Sequence, residues 1–476
     1  MYQDLKAAIV MMVKHRILGE ETIAAIATPL GVGGIGTIRV SGSDSLRILR
    51  RIFRKAGKRV SPQRFRSHRV VFGQVFSSGG NTPIDNCLAT YMKGPSSYTG
   101  EDVVEIGLHG SIPILQEVLR LLITNGARLA VPGEFTRRAF LNGRLDLSQA
   151  EAVLDVVNAR TSLGARRAVG QLEGTLSKAV NLIREKLLLF LAEIEAGLDF
   201  PDDVREQSHR MVCGRIAAAQ ASIRRLLATA EEGRIVREGA RVAIVGRPNV
   251  GKSSLYNALL REERAIVTGE PGTTRDALEE ELNIRGMPVR IIDTAGLRPP
   301  QGQAEAMGVA CAQRKVREAD LILLVVDGSR ASARGDLKLC SLCHGQNIIL
   351  VINKCDLPLR FRAGNKLGIN SGARQVRVSA LFGKGLRGLE RAIFGALIGS
   401  NKSDIGQILI NSRHQQCLLR AEKALREALV ASREKQPMDI ISIGIKDAVV
   451  ALGEITGQVV TEEVLDKIFS QFCVGK

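Results

Sequence analysis

Lys252 and Ser253 close the segment GRPNVGKS, residues 246–253, and that pattern of two glycines with four residues between them followed by Lys-Ser is suited to holding a polyphosphate. Such a loop points successive backbone N–H groups at phosphate oxygens from the start of a helix, while the lysine reaches the β and γ oxygens and the serine hydroxyl ligates Mg2+. Asn249, Val250, Gly251, Lys252, Ser253 and Ser254 are therefore the phosphate-binding candidates. Downstream, GTTRD places Thr274 as a second Mg2+ ligand and γ-phosphate contact. DTAG supplies the Asp293 carboxylate near Mg2+, then Thr294, Ala295 and the Gly296 N–H for the γ-phosphate. NKCD selects the base. Asp356 can accept from both N1–H and N2–H2 of guanine, which adenine does not offer, while Asn353 braces the loop beside Lys354. SAL, residues Ser379, Ala380 and Leu381, completes the base loop, with the Ala380 N–H directed to guanine O6. Five motifs in this order predict GTP binding and hydrolysis.

One catalytic part is missing. In a Ras-type enzyme the residue after this Asp-x-x-Gly is a glutamine that orients the attacking water. Here it is Leu297, which can neither donate nor accept. Asn249 can offer its side-chain carbonyl to a monovalent cation beside the phosphates, which would put positive charge where an arginine finger otherwise acts. Glu305, in LRPPQGQAEAMG, could orient water; equally, it could be a favourable acid at a helix N-terminus, and local chemistry leaves these two readings level.

These residues need a scaffold, and the apolar periodicity describes one. RVAIVG, VRIIDT, LILLVVD, NIILVIN and QVRVSA are short apolar strands alternating with helices, the signature of a doubly wound parallel sheet. Before them, TIAAIATP, GTIRVSG, RVVFGQVF and CLATYMK read as strands around the glycine-rich LGVGGIG and a helix from about Ser43, an α+β domain ending near Arg144. From LSQAEAV to Ala230, and again after about Ser400, apolar residues recur at helical spacing. The expected division is a dispensable extension 1–20, an α+β domain 21–144, helical halves 145–237 and 400–476, and a nucleotide domain 238–399 inserted between them.

Composition narrows the partners. At 476 residues and 45% hydrophobic content the chain can bury several cores, while a formal charge of +18 exceeds what a nucleotide alone requires and points to a polyanion. Eight scattered cysteines suit reduced thiols in the cytoplasm rather than a disulfide scaffold. No apolar run approaches bilayer length, so no membrane is expected, and MYQDLKAAIVMMVKHRILGEE lacks the form of a secretory signal.

Taken together, TPLGVGGIGTIRVSG, PSSYTGEDVVEIGLHG, PGEFTRRAFLNGRLDLSQAEAV, LDFPDD, GRPNVGKSSLYNAL, PGTTRD, DTAGLR and the terminal FCVGK resemble the MnmE (TrmE) family of tRNA-modification GTPases, from about Glu21 to Lys476. The resemblance implies an α+β N-terminal folate-type domain, a helical bundle domain and an inserted Ras-like doubly wound P-loop GTPase domain. It implies a K+ site formed by Asn249 with Thr268, Glu270 and Thr273 of the loop Thr268, Gly269, Glu270, Pro271, Gly272, Thr273, and a catalytic glutamate at Glu305; in such GTPases a hydrophobic residue at Leu297 is expected. It implies a tetrahydrofolate derivative (5-formyl or 5,10-methylene) bound by Arg39, Glu105, Arg144 and Lys476, with Cys473 near it in a catalytic role. Arg144 departs from the lysine of the family pattern, and a guanidinium fork is not a point charge. Without the family, Arg39 and Glu105 read as an ordinary strand ion pair. The implied partners are a second copy in a homodimer, the flavoprotein MnmG (GidA) and tRNA. The implied reaction is addition of an aminomethyl-type or carboxymethylaminomethyl-type group to C5 of the wobble uridine, position 34. The alternative is a ribosome-assembly or RNA-binding switch GTPase of the Era or Der type; a bare assembly scaffold leaves the nucleotide motifs unexplained.

Three other patterns need weighing. The terminal CVGK lacks the aliphatic residues of a prenylation box. CSLCH, Cys340 to His344, matches a haem-attachment spacing but falls inside the nucleotide domain and reads as helix. SLRILRRIFRKAGKRVSPQRFRSHR carries Lys and Arg at 47, 50, 51, 54, 55 and 58 in helical three-four spacing without an acid, which is either a solvated helix face or an RNA contact.

Overall fold

A computed structural model of the chain describes residues 21–55, 58–59, 65–78, 82–200, 208–262, 281–293, 317–332, 334–343, 345–361, 374–398 and 408–476. It divides into two compact units, Met1–Leu154 with Gly453–Lys476, and Asp155–Leu452. Among the described residues no helix is long and apolar enough to cross a membrane.

The first unit is built on a mixed sheet whose strands are β1 Ile23–Ile26, β2 Gly33–Ser41, β3 Phe53–Lys55, β4 Lys58–Arg59, β5 Arg69–Phe76, β6 Pro83–Met92, β7 Val103–Gly110 and β8 Arg128–Leu129, in the order β4-β3-β5-β6-β7-β2-β1-β8. All pairs are antiparallel except β1 with β8. Alternation sets its faces: Ile38, Val40, Val104 and Ile106 point into a core closed by Ile48 and Leu49 of the helix Ser45–Ile52 and by Leu115, Val118 and Leu122 of the helix Ile112–Thr124. The alternate residues Arg39 and Glu105 are direct cross-strand partners on the other face.

The basic stretch departs from the expected helix. Helix Ser45–Ile52 stops where Phe53 pairs with Val75 and Arg54 with Gln74, so Arg54 and Lys55 lie on a strand and share no helix face with Arg47, Arg50 and Arg51. The physical reason is non-local: Phe53 is buried beside Phe65, ring centroids 5.7 Å apart, and burying it in the sheet outweighs the local charge spacing.

The chain end Gly453–Lys476 falls in this first unit. Helix Glu462–Phe469 carries Phe469, which stacks near Phe140 and Phe472. Arg137 pairs with Asp466 at 2.8 Å. Gly133, at φ +70°, lies so close to this segment that a Cβ there would be 2.4 Å from the Phe469 carbonyl oxygen.

The second unit contains helices and a second sheet. Helices His209–Leu227 and Ser412–Arg433 are joined by Gln220 and Arg224, both donating to Glu422 at 3.0 and 2.8 Å. The second helix opens on a capping box, Asn411 Oδ1 accepting from the His414 N–H at 2.8 Å. The sheet comprises β9 Ala240–Val245, β10 Glu281–Ile284, β11 Met287–Asp293, β12 Leu321–Asp327, β13 Ile348–Asn353 and β14 Arg374–Arg377, ordered β10-β11-β9-β12-β13-β14 and parallel apart from β10 with β11. Its central strands are continuous apolar runs, as a sheet covered on both faces requires. Cys340 lies in the helix Arg334–Leu342 and Cys343 just beyond it; both are buried, and burial pushes the Cys340 thiol up to about 11. Closed-in, protonated thiols fit packing against the sheet, not haem attachment.

Candidate functional site

The phosphate loop joins the end of β9 to the helix Lys252–Glu262. Two residues bend it through left-handed backbone, Asn249 at φ +63° and Gly251 at φ +95°. Gly251 is obligatory for a second reason: a Cβ would lie 2.2 Å from Asn353 Nδ2. Asn353, only 2% exposed, donates Nδ2 to the Val250 carbonyl at 2.9 Å and accepts the Ala380 N–H at 3.0 Å, so one buried amide ties the phosphate loop to the base loop. Lys354 Nζ donates to the Asn249 carbonyl at 3.1 Å and to Asp327 Oδ2 at 2.6 Å. Burial alone would raise the Asp327 carboxyl, but the Lys354 ammonium and two hydrogen bonds from Ser329 hold it below the usual carboxylate range.

Asp356 is exposed, and the Ser379 hydroxyl donates to its Oδ1, which fixes the carboxylate while leaving it open to a base. Leu381 is 78% exposed beside the buried Ala380, an apolar surface against which a base can lie. Lys252 Nζ donates to the Gly246 and Arg247 carbonyls, each at 2.9 Å, and Ser253 and Ser254 are exposed at the helix start. Asp293 ends β11, adjacent in the sheet to β9. Thr268, Gly269, Glu270, Pro271, Gly272, Thr273, Thr274, Thr294, Ala295, Gly296, Leu297 and Glu305 lie outside the described residues. Asp327 is absent from the motifs of the sequence; its signal is an acid at the end of the apolar strand LILLVV.

In the first unit Arg39, Glu105 and Gly475 meet. Arg39 Nε donates to Glu105 Oε1 at 2.9 Å, a second guanidinium nitrogen lies 2.8 Å from the same oxygen, and the third reaches the Gly475 carbonyl at 3.2 Å. The guanidinium also lies 5.3 Å from the Tyr98 ring centroid and 5.7 Å from that of Phe135. Gly475, at φ +98°, allows this seating, since a Cβ would be 2.4 Å from the Ile26 carbonyl oxygen. The Lys476 N–H donates to the Cys473 carbonyl at 3.3 Å, and Cys473 itself is exposed. Arg144 is exposed and lies against Gly100, whose added Cβ would be 3.3 Å from Arg144 Cγ.

Beneath this surface is a charge network that no motif in the sequence signals. Arg138, 2% exposed, donates to Glu101 at 2.9 Å and to the Glu21 carbonyl at 3.0 Å; Ser41 donates to the same Glu101 oxygen at 2.7 Å. Arg128 holds Glu134 at 2.6 Å. Burial would raise the Glu134 carboxyl, but Arg128, the Val131 N–H and Arg138 outweigh it and hold it low.

Comparison with known proteins matches these two regions to one family. Residues 22–144 match the model of the GTP-binding protein TrmE N-terminus, and residues 147–473 match that of the MnmE helical domain. The tRNA modification GTPase MnmE of Alkaliphilus oremlandii is 42% identical over 96% of this chain and 99% of its own length. The protein of that name from Lactococcus lactis subsp. cremoris is 43% identical over 96% and 98%, and that of Symbiobacterium thermophilum 45% over 96% and 100%. A nucleotide loop braced to a guanine-type base loop, on a chain whose matches run from residue 22 to residue 473, leaves one conclusion: the chain belongs to the MnmE family of tRNA modification GTPases.

Proposed function

We propose that this chain hydrolyses GTP in a K+-dependent manner and, with a flavoprotein partner of the MnmG type, modifies C5 of the wobble uridine (position 34) of certain tRNAs. The added group is of the aminomethyl or carboxymethylaminomethyl type, with carbon drawn from a tetrahydrofolate derivative. Its working parts are the N-terminal domain 21–144, the helical halves 145–237 and 400–476, and the inserted G domain 238–399. It acts as a homodimer in the cytoplasm, a location that accords with a tRNA substrate.

The observation that carries this reading is the seating of the chain terminus on the N-terminal sheet, with the Gly475 carbonyl on Arg39 at 3.2 Å. A folate carboxylate or pterin has use for the Arg39 fork, the Arg144 guanidinium and the Lys476 ammonium, drawn from three parts of the chain, and Glu105 can accept from a pterin N–H.

In the nucleotide site the residues fit Mg2+ and K+ by type. Ser253 and Thr274 supply hydroxyl oxygens for Mg2+; Asn249, Thr268, Glu270 and Thr273 supply the oxygens that a monovalent cation takes. Asn249 is exposed in the phosphate loop with its own carbonyl held by Lys354, so its side-chain amide is the part free to serve a cation. When bound, K+ supplies charge against the developing negative charge on the phosphoryl oxygens. Glu305 orients the attacking water in place of the glutamine that Leu297 replaces.

The test is single-turnover GTP hydrolysis in KCl and in NaCl at equal ionic strength, with wild type and Asn249→Ala. The reading expects hydrolysis at least about ten-fold faster in K+, and loss of most of that difference in the variant. Equal wild-type rates in the two salts would overturn the K+ assignment.

A further inference from the structure

The basic segment is broken as a helix at Ile52. The ten Lys and Arg residues from Ser45 through Arg69 are accompanied by no acid. The helix Ser45–Ile52 ends in Arg50 and Arg51, and the chain runs straight into the edge ribbon β3–β4, where Arg54 stands opposite Arg59 and Lys55 opposite Lys58. Arg51 and Lys55 are exposed. Arg54 is held with its guanidinium 4.3 Å from the Phe76 ring centroid, which fixes the fork before any ligand arrives.

We propose that the end of the helix Ser45–Ile52 and the ribbon Phe53–Lys55/Lys58–Arg59 form a docking surface for the phosphate backbone of the tRNA substrate, through Arg51, Arg54 and Lys55. The inference rests on the tRNA reading above and adds where the substrate is held. Each phosphate that these cations neutralise would release counterions. A lipid surface is the poorer fit, because among the described residues Ile48, Leu49, Ile52, Phe53 and Phe65 of this segment are all buried. The surface adds affinity without reading sequence, since backbone contacts carry none.

The experiment is a salt titration of purified bulk tRNA binding to the full chain, wild type against the triple variant Arg51→Gln, Arg54→Gln, Lys55→Gln, with the charge-keeping variant Arg51→Lys, Arg54→Lys beside it. The slope of log affinity against log salt should flatten by roughly 0.7 to 0.9 for each phosphate left unneutralised, and affinity should fall roughly ten-fold or more for all tRNAs, while GTP hydrolysis stays at the wild-type rate. The charge-keeping variant should retain the wild-type slope. If wild type binds tRNA and the triple variant matches it in slope and affinity, the docking surface is refuted and the tRNA reading survives. If wild type itself fails to bind, the tRNA reading falls and the surface with it. Loss of binding to phosphatidylglycerol vesicles with tRNA binding intact would assign the patch to lipid and overturn the proposal.

Discussion

The nucleotide site and the terminal-tail site differ in how far apart in sequence their parts lie. In the first, each motif is a short run whose chemistry is complete locally: the loop between β9 and its helix already has its left-handed residues at Asn249 and Gly251, and only the Asn353 brace spans a long separation. In the second, Arg39 meets Glu105 across paired strands and then Gly475 at the far end of the chain. A site of the first kind announces its ligand by spacing. A site of the second kind looks like an ion pair until the fold closes it.

The sharpest break of that comparison is at the base loop. Asp356→Asn should weaken GTP binding by about 100-fold or more, because the guanine N1–H and N2–H2 lose their shared carboxylate acceptor, and should favour xanthosine triphosphate, which offers a carbonyl there. Calorimetric titration with both nucleotides checks this; undiminished GTP affinity would remove Asp356 from the base site.

Glu305→Ala tests whether a residue named by family pattern works as the local motifs do. Hydrolysis should slow by roughly 100-fold with nucleotide affinity nearly intact. A wild-type single-turnover rate would return Glu305 to the role of an acid at a helix start.

For the tail site, Gly475→Ala adds a Cβ where the Ile26 carbonyl leaves 2.4 Å and where φ is +98°. The tail should lift, and the affinity for 5-formyltetrahydrofolate should drop roughly ten-fold while GTP hydrolysis is unchanged. Unchanged folate affinity would show that the seat on Arg39 is structural only.

The smallest effect concerns the support beneath. The folded-state pKa of Glu134 is depressed, so its contribution to stability is complete above the ordinary value of 4.5 and is lost as pH falls through the lower folded value. Glu134→Gln should therefore be less stable than wild type near neutral pH, and the gap in thermal midpoint should narrow below about pH 4. A gap that stays constant down to about pH 2 would show that the charge on Glu134 contributes nothing.

The doubly wound sheet and the phosphate and base loops are legible in the sequence because periodicity and short-range spacing encode them, whereas the strand Val103–Gly110 and the helix Ile112–Thr124 of the first unit are not among the elements read from it. The basic segment is not legible, because charges at 47, 50, 51 and 54 fit a continuous helix equally well, and what ends the helix at Ile52 is the burial of Phe53 against Phe65 in the sheet. Arg138 is hidden for the same reason: an arginine in EFTRRAFL is buried only because Glu101 and Ser41, from two other elements, meet beside it. The tail site is suggested by resemblance and has no local signal at all.

GTP hydrolysis by this chain serves tRNA modification in this account, and nucleoside mass analysis of bulk tRNA tests that most directly. The tRNA of a strain deleted for this chain should lack the aminomethyl-type C5 modifications of uridine 34, and these should return with the wild-type chain but not with Asp356→Asn. A deletion strain whose wobble uridines carry the full modification would contradict the account.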